Sequence, residues 1–253
     1  MKSSSKRPQR PVAVVTGAGI RLGKAIALAL HREGYAVVVH FNKSRKGALA
    51  VVNSICSDGG NAIHVRSDIR TVTGARAIIA AGLRAFGRID LLVNNAAVFR
   101  ESSVFGTTER SWDEAIDTNL KGMFFCSQAA AKVMKRKGGG SIVNIASLGG
   151  LQAWSGYLPY SVSKAGVVML TRCLARGLAP SIRVNAVAPG TIILRGEETG
   201  IRHISKRKIP LRRYGSPNDI TELVLFLAKR AKYVTGQIFT ADGGRTLHTT
   251  ITS

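Results

Sequence analysis

Acidic residues are scarce in this chain: 14 Asp and Glu stand against 37 Lys and Arg in 253 residues, a formal net charge of +23. Such an excess attracts polyanions at low salt and raises a nucleic-acid reading. The motifs that would support it are lacking, with no zinc-finger spacing and no aromatic strand signature of an RNA-recognition module. Long apolar runs are lacking as well. No stretch approaches the roughly 18 uninterrupted apolar residues that a membrane-spanning helix needs. Cysteine is limited to Cys56, Cys126 and Cys173, too far apart for a zinc or redox pair, so each reads as a small buried hydrophobe. The basic start MKSSSKRPQRP has only a short apolar run behind it. It reads as a flexible tail over residues 1–10 of a cytoplasmic protein, not as a secretory signal. No linker or internal repeat follows, which predicts one domain over residues 11–253.

What the chain does hold is alternation. PVAVVTG, YAVVVHF, NAIHVRSD, DLLVNNA, SIVNIAS, IRVNAVAP and QIFTAD read as seven strands. Between them, segments such as KAIALALHREG, GARAIIAAGLRAFG and ITELVLFLAKRA carry apolar residues at helical spacing. Near-continuous apolar strands imply burial on both faces, so the pattern predicts a doubly wound α/β domain with a mostly or wholly parallel seven-stranded sheet flanked by helices. Two long segments depart from the alternation. One is SLGGLQAWSGYLP, before a helix expected from about Ser161 to Leu178; the other, Thr191 to Tyr214, reads as a substrate lid.

Gly17, Gly19 and Gly23 follow the first strand and open the first helix, the layout that brings backbone and a helix N-terminus close to a pyrophosphate. Strand two ends in HFNKSRKG, without the carboxylate that would hold ribose hydroxyls and repel a 2′-phosphate. Asn42, Lys43 and Ser44 there suit a phosphate, which points to NADPH over NADH. Arg21, between Gly19 and Gly23, reads as a fixed positive charge over the cofactor phosphates or a nearby anionic ligand.

YSVSK places Tyr160 and Lys164 four residues apart, on one face of a helix. A neighbouring ammonium favours phenolate, and a Tyr so placed can donate a proton to a carbonyl oxygen and recover it. Ser147, thirteen residues earlier at the end of strand five, could bond the same oxygen.

TGAGIRLG, NNAA, Asn119 in DTNLKG, Ser147, YSVSK and APG together resemble the short-chain dehydrogenases/reductases, from about Pro11 to Leu247. The resemblance implies a Rossmann-type fold, hydride transfer from a nicotinamide, and a dimer or tetramer. It implies a catalytic set of Asn119, Ser147, Tyr160 and Lys164, with Lys164 on the nicotinamide ribose and Asn119 positioning a water. It places cofactor contacts at Gly17, Gly19, Arg21, Leu22 and Gly23, at Asn42, Lys43 and Ser44, at Asp68 and Ile69 beside the adenine, at Asn95 and Ala96, at Tyr160 and Lys164, and at Pro189, Gly190 and Ile192. No metal is implied.

Departures point within the family. Arg21 stands where a glycine is usual and Leu194 where a Thr is usual, and both look like the pteridine reductase branch. HFNKS and LAPSIRVNAVAPGTI also resemble that branch, and Phe99 falls where its pterin-stacking Phe sits. Against it, Ser147 replaces the Asp of many pteridine reductases, and Ala97 replaces a common Ser. The leading reading is therefore an NADPH-dependent reductase of a pterin-like small molecule, contacting Phe99, Ser147 and Tyr160. The alternative is a carbonyl reductase such as a 3-oxoacyl-[acyl-carrier-protein] reductase. There the six cations from Arg202 to Arg213 would dock an acidic carrier. A non-catalytic nucleic-acid or scaffold binder is the third reading, and the intact catalytic set argues against it.

Overall fold

The computed structural model describes residues 10–194 and 205–247. Its strands are β1 (Val12–Val15), β2 (Ala36–Phe41), β3 (Ala62–Arg66), β4 (Leu91–Asn94), β5 (Gly140–Ile145), β6 (Ile182–Pro189) and β7 (Ile238–Ala241). They form one wholly parallel sheet in the order β3-β2-β1-β4-β5-β6-β7. The seven segments read as strands all pair as such. Among the described residues seven α-helices accompany them: α1 (Arg21–Arg32), α2 (Arg45–Ser57), α3 (Val72–Phe86), α4 (Glu109–Ile116), α5 (Gly122–Arg136), α6 (Leu158–Leu178) and α7 (Pro217–Lys229).

Period-two alternation divides each strand between two helical layers. Ala13 and Val15 of β1 pack with Ile26 and Leu30 of α1, Val51 of α2 and Val224 of α7. Val12 and Val14 belong to the opposite core, with Ile78 of α3, Met134 of α5 and Ala175 of α6. Both faces are covered, which is why the strands read as unbroken apolar runs. Each fully buried Val, Leu or Ile contributes about 1.5–3 kcal/mol, so this three-layer core carries the fold.

Strand order reverses at β1, whose neighbours are β2 and β4. A parallel sheet opens a crevice beyond its carboxyl ends at such a point, and the loops after β1, β2, β4 and β5 converge there. Three local features shape that end. Helices α4 and α5 are joined by a π-helical turn, Asp117–Lys121, which holds Asn119. Helix α6 begins at Leu158, earlier than the expected Ser161; Pro159 lies in its first turn, where a missing N–H leaves no bond unmade. Tyr160 is thereby inside the helix. Finally, Thr191 and Gly215 pin together the two ends of the expected lid, through Ile193 N–H to the Gly215 carbonyl and Gly215 N–H to the Thr191 carbonyl (both 2.9 Å). Residues 195–204 of that segment, including Arg202, lie outside the described residues, as does all of the expected tail except Arg10.

Candidate active site

The loop after β1 is locked to the loop after β4. Thr16 Oγ1 accepts from the N–H groups of Asn95 (2.9 Å) and Ala96 (3.0 Å), while Asn95 Nδ2 donates to the Thr16 (2.9 Å) and Gly17 (3.2 Å) carbonyls. Gly17 has φ +63°, and a Cβ on it would lie 2.9 Å from the Ala96 Cα. Glycine is therefore required for both conformation and space. Gly19 approaches Ser44 so closely that a Cβ would sit 2.6 Å from its Oγ. Arg21 adopts φ +53°, a left-handed conformation that costs a residue with a Cβ roughly 1–2 kcal/mol. A position built for glycine has kept its backbone shape and gained an exposed cation.

His40, in β2, escaped the sequence reading. Its Nδ1 accepts from Gly17 N–H (3.2 Å), so Nε2 carries the proton and donates to the Ser67 carbonyl (3.1 Å). Burial lowers its pKa to about 4, which keeps the ring neutral near pH 7. The apolar VVVHF context gives no sign of this role. His40→Ala is expected to leave the Gly17 N–H unsatisfied and to cost about 1–3 kcal/mol, read as a lower urea midpoint at unchanged slope. An unchanged midpoint would show that the bond contributes nothing.

These loops wall a cleft of about 1020 Å³. The structure brings to it Gly17, Arg21, Leu22, Gly23, Asn42, Lys43, Ser44, Asp68, Ile69, Asn95, Ala96, Phe99, Ser147, Tyr160, Lys164, Pro189, Gly190 and Ile192. Two expected residues do not line it. Gly19 serves the contact between the β1 loop and α2 instead. Asn119, fully buried, spends its side-chain amide on protein: Oδ1 accepts from Val98 N–H (2.8 Å), and Nδ2 donates to the Val98 carbonyl and Ser163 Oγ (both 3.0 Å). Its side chain fixes the Val98–Phe99 wall. Asp68, expected beside the adenine, has its carboxylate bound by Arg70 Nε (3.0 Å) and Nη2 (2.6 Å), which holds it below the usual carboxylate range.

Tyr160 and Lys164 project from the first turns of α6 toward the end of β5. Lys164 is 2% exposed; its Nζ donates to the Ile145 carbonyl (2.7 Å) and lies 5.8 Å from the centre of the Tyr160 ring. Burial lowers its pKa to about 8. Ser147 stands beside the Tyr160 hydroxyl on the cleft wall. The expected acidification of Tyr160 is not what the structure gives. Burial raises the phenol above its ordinary value, and only the neighbouring Ser147 side chain opposes this. Tyr160 is thus set to keep its proton at neutral pH.

An aromatic cluster frames this hydroxyl. Phe99 is 56% exposed, stacks on Tyr157 (4.5 Å between centres, 2° between planes) and meets Tyr160 edge-on (4.7 Å, 72°). Trp154 lies near-parallel to Tyr160 at 6.4 Å. Trp154 and Tyr157 sit in the long loop before α6, where their position next to Tyr160 was a usable signal; Arg245, which also lines the cleft, had none. The cationic segment expected as a lid contains an ion pair. Arg213, itself exposed, is paired with Asp219 (2.6 Å); Lys206, Arg207, Lys208 and Arg212 are the segment's other exposed cations among the described residues.

The family profile described as Enoyl-(Acyl carrier protein) reductase matches residues 17–246. A 3-oxoacyl-[acyl-carrier-protein] reductase from Synechocystis sp. is 41% identical over 236 residues, covering 92% of this chain and 96% of that protein. A Staphylococcus aureus protein of the same name is 40% identical over 237 residues, again with 92% and 96% covered. The crystal structure of acetoin dehydrogenase from Enterobacter cloacae superposes with a TM-score of 0.89 at 31% identity, covering 98% of this chain and all of that one. The similarity favours the carbonyl-reductase alternative over the pteridine reductase branch. The chain belongs to the short-chain dehydrogenase/reductase family and is an oxidoreductase.

Proposed function

We propose that this protein reduces the ketone of a 3-oxoacyl thioester with NADPH. One observation carries the reading: Ser147, Tyr160 and Lys164 meet at one end of a cleft whose other end presents Lys43 and Ser44. Those ends lie beyond β5 and β2, three strand spacings or roughly 14 Å apart, a span suited to a dinucleotide. The fit is tested by the glycines, since added Cβ atoms at Gly17 and Gly23 would meet neighbouring loop atoms, and by the absence of acid at Asn42–Ser44. Gly17, Asn95 and Pro189–Gly190 would line the dinucleotide, and Arg21, Lys43 and Ser44 would take its phosphates. When bound, the reduced nicotinamide supplies the hydride.

The chain's own residues supply the proton. Ser147 and Tyr160 hold the ketone oxygen, and Tyr160, kept protonated by burial, transfers its proton there as the oxygen gains charge. The resulting phenolate is stabilised by the Ser147 hydroxyl and by the Lys164 ammonium. A neutral hydroxyl at position 147 suits an oxygen acceptor. Phe99 gives a planar heterocycle only one open face, because Tyr157 covers the other. The relatives named as 3-oxoacyl reductases support the same choice, and Lys206, Arg207, Lys208 and Arg212 suit an acidic carrier.

The test follows NADPH absorbance with an acetoacetyl thioester, dihydrobiopterin and dihydrofolate in parallel. Turnover of the thioester alone is expected; turnover of a pterin alone would overturn the reading. The pH profile adds a second test. Lys164 is charged below about 8 and loses its charge as pH rises through that value, so the rate is expected to fall there. The sign for stability is opposite. The unfolded chain holds this proton up to its ordinary value of about 10.4. Between these values the unfolded state binds more protons, and this group's contribution to stability rises with pH. The rate loss should therefore precede any unfolding seen by circular dichroism; simultaneous loss would remove Lys164 as its cause.

A further inference from the structure

Arg245 stands on the cleft wall with no carboxylate partner among the described residues. Its Nη1 donates to Thr191 Oγ1 (2.9 Å), and its guanidinium lies 5.8 Å from the centre of the Trp154 ring. The nearest acid in sequence, Asp242, is committed elsewhere, accepting from Gly244 N–H (2.9 Å), Thr246 N–H (2.7 Å) and Thr246 Oγ1 (2.8 Å). The two carboxylates on the cleft wall are also taken, Asp68 by Arg70 and Glu114 by Arg100. Gly190 brings the segment into place, since a Cβ there would sit 2.6 Å from the Asp242 Cα. The turn after β7 thus packs directly on the loop after β6.

Position separates this cation from those suited to the dinucleotide. Lys43 follows β2, Ser147 follows β5 and Arg245 follows β7, two strands beyond the reacting end. Trp154 links the two, with Tyr160 near-parallel at 6.4 Å and the Arg245 guanidinium 5.8 Å from its ring centre. We propose that Arg245 recognises an oxyanion carried by the substrate itself, a carboxylate or a phosphate lying beyond the carbonyl that Tyr160 protonates. The inference rests on the reductase reading of the cleft and makes Arg245 a specificity-determining residue.

Three probes test it: acetoacetyl-N-acetylcysteamine, which is neutral; a 3-oxoacyl-N-acetylcysteamine thioester ending in a carboxylate; and acetoacetyl-phosphopantetheine. In Arg245→Met the ratio of kcat/KM for an anionic probe to that for the neutral one is expected to fall about 10–100-fold, the worth of a hydrogen bond to a charged group. Arg245→Lys should recover part of it. Whichever anionic probe loses its advantage identifies the source of the oxyanion. Unchanged ratios for both overturn the proposal. If the wild-type enzyme reduces none of the three, the thioester reading fails, and binding decides the inference separately. In a Trp112→Phe background Trp154 is the sole tryptophan, and its emission reports occupancy of each probe. An anionic probe bound no more tightly with Arg245 than with R245M overturns it.

Discussion

Tyr160→Phe is expected to lower kcat by about 10³-fold, within the 10²–10⁴ range that a positioned proton donor contributes. The substitution removes one oxygen and keeps the ring between Phe99 (4.7 Å) and Trp154 (6.4 Å), so the wall of the cleft is preserved. Binding of NADPH, followed by its fluorescence, should persist, because no dinucleotide phosphate depends on the phenol. Loss of rate with retained binding would place Tyr160 in the proton-transfer step. A rate near that of the wild type would leave the ketone oxygen with another donor and remove the mechanism.

The second large effect concerns cofactor choice. Lys43→Glu is expected to move the NADPH-to-NADH preference by about 10²-fold, since a charge-assisted bond to phosphate is worth about 1.5–3 kcal/mol and the new carboxylate repels the same group. Lys43 is exposed on the cleft wall, beside Ser44 at the start of α2. No acid occupies the first turn of α2 to offset the change. The measurement is kcat/KM for each dinucleotide at one ionic strength, because salt screens exposed charges. An unchanged ratio would show that the phosphate lies elsewhere.

The fold was legible because its signal is repeated seven times. Continuous apolar strands between amphipathic helices leave few alternatives, and the strand spans agree to within their ends. Tyr160 and Lys164 were legible from helical spacing together with the motifs that accompany them. What the spacing could not supply was the dielectric around them. Lys164 beside Tyr160 suggested an acidic phenol, but burying the whole pair raises the phenol and lowers the ammonium. The direction of the Asn119 amide was equally illegible, because it is set by Val98 and Ser163, distant in sequence. His40 and Arg245 had no local signature at all. One is a polar residue in an apolar strand whose partners come from two other loops, and the other owes its place to the contact between Gly190 and Asp242. Such residues become visible only when the sheet brings remote loops together.

The bonds between Thr191, Ile193 and Gly215 have an evolutionary consequence. A segment stitched at its roots is a cassette. Its length and composition can change while the frame beneath stays in register, because closing a longer loop adds only about 0.6 kcal/mol per doubling. Natural variation confined between those stitches can diversify what the enzyme accepts without disturbing how it transfers a proton.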